Sequence, residues 1–143
     1  MQDTLEFDEE TFYREWAAWE DQGMADYSVK VKTEWHSPSY IFFYRVIIKN
    51  YKLLNIESLD GKDYNHYYND TEWDPIWEMY NSINSLYEEH KNIRGSIKIL
   101  YSTYFHYPEF IAIDLPPKNP PTSFGSGAIY LSEFIPLTPA KEE

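Results

Sequence analysis

Trp19-Glu20-Asp21-Gln22-Gly23-Met24-Ala25-Asp26-Tyr27-Ser28-Val29-Lys30-Val31-Lys32-Thr33-Glu34-Trp35 changes its hydrophobic period at a glycine. Upstream, Phe12, Trp16 and Trp19 recur at helical spacing,. Asp8 is placed to cap that helix, with Glu9 and Glu10 suited to its positive end. Phe7 and Phe12 have the spacing of a hydrophobic staple. Gly23 suits the left-handed residue just past the helix end. These signals predict a helix over residues 9–22. Downstream, Tyr27, Val29, Val31, Thr33 and Trp35 alternate with polar residues, the period of a half-buried antiparallel strand,.

The same reading extends along the chain. Ser37-Pro38-Ser39 is a turn, and residues 40–49 form a second strand dense in Phe, Tyr, Val and Ile,. Asn50-Tyr51 makes a two-residue hairpin into a third strand from Leu53 to Leu59. Residues 60–72 are polar and tyrosine-rich and read as a loop. A second helix follows, capped either by Thr71 or by Asp74 with Pro75 at its first position, and ends near His90 to Asn92. Ile76, Tyr80, Ile83 and Tyr87 form its inward stripe, with Trp77 also expected to face the core. Three more strands lie near residues 97–101, 107–114 and 128–135. Between the last two, Leu115–Gly127 contains four prolines, which makes a stiff loop unable to join a central ladder,. The order α-β-β-β-α-β-β-β predicts an α+β fold with an antiparallel sheet and two helices on one face. The two halves share an element order without a residue-level repeat. Residues 1–143 form one domain, with an ordered core of about 7–137 and acidic termini,.

Composition bounds the function. With a formal net charge of −12, the chain is repelled by phosphate backbones and anionic membrane surfaces, so nucleic acid is an unfavourable partner,. No apolar run reaches the length of a membrane span. The absence of cysteine excludes disulfides, thiolate metal sites and cysteine nucleophiles,. His36, His66, His90 and His106 share no ligand spacing, so neither a metal nor any other cofactor is expected. Asp60, Asp63 and Asp70 lack the order of a calcium loop.

Trp19, Gly23 and Asp26-Tyr27 resemble the helix-to-strand junction of a family of small bacterial exported proteins and lipoproteins, a domain of unknown function. Val46 to Leu54 is similar to that family's Val-x-Val-x-Asp-Gly-Lys-Val-Val hairpin, with Asn50-Tyr51 in place of Asp-Gly. Tyr101, Tyr107-Pro108, Ile111, Ile113, Asp114, Tyr130 and Phe134 match its later strands. There Ser102-Thr103 replaces Asp-Pro and His106 replaces Gly. The likeness spans roughly residues 16–136. It implies a location outside the cytoplasm, periplasmic or lipid-anchored, for a chain whose signal has been removed; otherwise the protein is cytoplasmic. It implies no activity.

The residues themselves favour a non-catalytic binding or protein-interaction module for a protein or glycan ligand. Aromatic side chains with few rotors make good anchors, and Tyr64, Tyr67, Tyr68, Trp73 and Phe124 lie in or beside polar loops,. The alternative is a small hydrolase built on Asp114 and His106, with Tyr107 beside them. A third reading is an inhibitor-like protein that presents its loops to an enzyme.

Overall fold

The computed structural model describes residues 4–36, 39–64, 74–116 and 126–137. The elements run β1 (Leu5–Glu6), α1 (Glu9–Gln22), β2 (Tyr27–His36), β3 (Ser39–Lys49), β4 (Lys52–Ser58), α2 (Pro75–His90), β5 (Gly95–Tyr101), β6 (Pro108–Asp114) and β7 (Ser126–Pro136). Among the described residues one seven-stranded sheet has the order β1-β5-β6-β7-β2-β3-β4. Each half of the chain lays down an antiparallel meander, and β7 against β2 joins the two.

The expected helices and six long strands are present in the expected order. The sheet is not wholly antiparallel, however. Leu5 and Glu6 pair in parallel with Gly95 and Ser96, which adds an edge strand before α1. Two residues carry no period, so composition cannot reveal such a strand. The register and the bond from Leu5 N–H to the Lys91 carbonyl hold it.

Local signals explain both helices. Asp8 accepts from the amide and hydroxyl of Thr11, and Phe7 meets Phe12 with ring centroids 5.1 Å apart. Gly23 ends α1 at φ 61°, its amide bonding the Glu20 carbonyl. At α2 the cap is Asp74, with Pro75 in the first turn.

The core lies between the helices and one sheet face. Tyr27, Val29 and Val31 on β2 stand opposite Ile48, Val46 and Tyr44 on β3, and all six are buried. Phe12 and Trp19 from α1, and Ile76, Tyr80 and Ile83 from α2, complete the same cluster. Trp16 is only partly buried, stacked on Tyr80 at 5.6 Å. Burying one such side chain stabilises by about 1.5–3 kcal/mol, so this layer is the main source of stability.

Across the β7–β2 joint, Gly127 lies under Trp35. A Cβ there would come within 2.5 Å of both the Glu34 carbonyl oxygen and the Trp35 ring. Gly127→Ala is therefore expected to lower unfolding stability by about 1–3 kcal/mol, the cost of overpacking. Chemical denaturation checks this, and an unchanged midpoint would show that the joint can dilate.

Candidate functional site

The hairpin between β3 and β4 is the starting point. Asn50 and Tyr51 both have positive φ, 56° and 63°, as the tight primed turn requires,. Glycine normally takes such a position, and a tyrosine there carries roughly 1–2 kcal/mol of strain. The turn is fastened to the α1–β2 connection. Asp26 accepts from the Asn50 amide at 2.8 Å, and the Ala25 carbonyl accepts from the Tyr51 amide at 3.0 Å. Tyr51 thereby hangs its hydroxyl over Gly23, where a Cβ would approach it to 3.3 Å. Its side chain stays 52% exposed.

Opposite stands the first turn of α2. Asp74 Oδ1 accepts from the Ile76 and Trp77 amides and from the hydroxyl of fully buried Tyr27, at 2.5 Å. All three bonds fall on one carboxylate oxygen. Burial raises the Asp74 pKa above the ordinary carboxylate value, against the downward pull of these hydrogen bonds. Trp77, one residue past the inward stripe, is 43% exposed. Between these parts lies a groove of about 430 Å³, walled by Trp19, Tyr51 and Trp77 and bordered by Glu20 and Asp74.

The residues singled out from sequence fall differently. Tyr64 is buried at 3% exposure. Its hydroxyl donates to Asp60 and accepts from the Phe43 amide, so it closes the loop onto β3 and offers no open ring. Tyr67, Tyr68, Trp73 and Phe124 lie outside the described residues, as do His66 and Asp70. Trp77 was expected in the core and instead forms an exposed wall. Tyr64 is therefore a buried clasp where an open anchor was expected, and Trp77 an open wall where a core residue was expected. The groove residues Tyr51, Glu20 and Asp74 were missed as a site. Their signals were a tyrosine where a hairpin wants glycine, and a helix cap beside a tryptophan.

Asp114 and His106 do not meet. Strand β6, which ends at Asp114, runs between them, a separation of about 20 Å at strand rise,. Asp114 is exposed at one end, within 3.4 Å of the Ser126 hydroxyl. At the other end His106 Nδ1 lies 2.9 Å from Glu15, and Tyr80 donates to the His106 carbonyl. Those bonds tie α1 and α2 to the β5–β6 turn. Tyr107 is buried, stacked on Phe134 at 4.5 Å. Burial raises the pKa of the Tyr80, Tyr101 and Tyr107 hydroxyls, so none supplies a phenolate at neutral pH. Among the described residues no group of three or more His, Cys, Asp or Glu is placed to hold a metal. No described helix is long and apolar enough to cross a membrane.

The raised pKa of Asp74 has a definite sign. Its native value lies above the unfolded one, so its contribution to stability is full below the unfolded pKa and declines as pH rises through the native pKa,. Asp74→Asn keeps the cap acceptor and removes the desolvated charge. It is expected to hold or raise stability at neutral pH and to remove this decline, so that stability climbs more steeply from acidic to neutral pH than in the unsubstituted chain,. Asp74→Ala should instead lose about 2–5 kcal/mol, the cap together with the acceptor of the buried Tyr27 hydroxyl,. Thermal unfolding across acidic and neutral pH separates the two; equal losses for Asn and Ala would show that the charge itself is needed.

Comparison with family models, with curated proteins and with solved structures finds no match to this chain.

Proposed function

We propose that this chain is a non-catalytic binding domain, and that its ligand seats in the groove between Tyr51, Trp19 and Trp77. The carrying observation is the exposed, strained Tyr51. A tyrosine held at positive φ and left half open to solvent weakens the hairpin, and it contributes most by lining a surface that something else covers,. Concave sites with aromatic walls and a few placed polar groups are the usual form of ligand pockets,. The separation of Asp114 from His106 removes the main support for a hydrolase. The ligand is a group presented by a partner protein or a glycan. A location outside the cytoplasm rests on the motif resemblance alone.

The test is a ligand screen read by the tryptophan indole N–H resonances. Hits should move Trp77 and Trp19 while leaving the signals around His106 and Asp114 in place. Tyr51→Gly is expected to weaken the hits while holding stability or raising it by up to about 1 kcal/mol, because glycine relieves the left-handed strain. Trp77→Ala should weaken them further, at a stability cost well below the roughly 3–5 kcal/mol of a core aromatic. Hits that leave Trp77 unmoved, or that survive both substitutions, would reject the groove as the site.

A further inference from the structure

We infer that the ligand of this groove is an organic cation, a substituted ammonium group carried on alkyl carbon. This rests on the binding reading above and names its chemical class.

Three observations converge on charge. First, the polar side chains bordering the groove are carboxylates, Glu20 and Asp74, and no lysine or arginine lines it among the described residues. Second, α1 ends there with its charges reversed. A helix C-terminus carries partial negative charge and is normally met by basic residues. The last turn of α1 has none and instead holds Glu20 and Asp21. Third, Asp74 uses Oδ1 for its hydrogen bonds to the protein while its side chain borders the groove. A neutral sugar would leave these carboxylates and the helix end uncompensated, whereas a cation neutralises them.

The walls select the kind of cation. Trp77 and Tyr51 present exposed aromatic rings, whose negative faces attract cations,. An inorganic ion would prefer a cage of oxygen ligands, and the described residues contain no such cluster,. A substituted ammonium loses little hydration and fills an aromatic groove with its alkyl groups. Lys49 and Lys52 flank the hairpin tip in sequence and do not line the groove.

The experiment titrates the whole chain with choline and with its neutral isostere 3,3-dimethylbutan-1-ol, at matched ionic strength with sodium chloride as control. The Trp77 and Trp19 indole N–H shifts are the readout. Choline is expected to bind at least about tenfold more tightly than the isostere. Trp77→Ala should abolish the shift. Glu20→Gln and Asp74→Asn should each weaken binding several-fold, with folding verified from the remainder of the spectrum. Equal shifts from choline and the isostere would overturn the cation assignment and leave the groove as a binding site. A shift from methyl β-cellobioside but not from choline would do the same in favour of a sugar. No tryptophan shift with any of the three, or an effect of sodium chloride alone as large as that of choline, would also overturn it. In the first of these two cases the ligand screen decides separately whether the groove binds anything.

Discussion

The hydrogen bond from Tyr27 to Asp74 is the constraint on which the structure around the groove depends. Tyr27 is the first residue of β2 and is fully buried. A buried hydroxyl without an acceptor costs on the order of 1–3 kcal/mol, so its partner is not optional. That partner is the residue that starts α2, so one bond sets where the second helix begins relative to the first strand of the meander. The Tyr27 ring meets Trp19 edge-on at 5.6 Å and stacks on Phe134 at 5.3 Å. Helix α1, helix α2, β2 and β7 therefore converge on a single side chain. The floor and one rim of the groove follow from it.

Much of this was legible in the residues, and the illegible parts have physical reasons. Period and caps located α1, because Asp8 and Gly23 act locally and need no distant partner. The choice between Thr71 and Asp74 as the second cap was open locally. It is decided by Tyr27, forty-seven positions away in the chain. Trp77 was assigned inward because it is apolar, yet it lies about 100° around the helix from Ile76, at the edge of the buried stripe. Tyr64 was assigned outward because its neighbours are polar. Its burial depends on the Phe43 amide, a contact that loop composition does not encode.

Tyr51 and His106 both have positive φ, a backbone conformation that glycine adopts more readily,. Each of these positions carries a side chain with a job. His106 ties the β5–β6 turn to Glu15, and Tyr51 walls the groove. Trp19 and Gly23 line that groove as well. Gly23 leaves room for Tyr51, and Asp26 holds the hairpin tip.

The position of β7 has a consequence for how the chain is made. It is the last of the described strands in sequence, yet it occupies the middle of the sheet between β6 and β2. Val31 faces Leu131, so the central ladder joins distant stretches of chain. A ribosome releasing this protein from its N-terminus exposes the β2–β3–β4 meander long before its central partner exists. Until residue 136 is free, β2 and β6 each carry an unpaired inner edge, the feature that invites intermolecular pairing,. Closure of the sheet is thus a late event dominated by non-local contacts, which places the molecule among slow-folding topologies that depend on staying dispersed while they wait. A net charge of −12 supplies the mutual repulsion for that interval,.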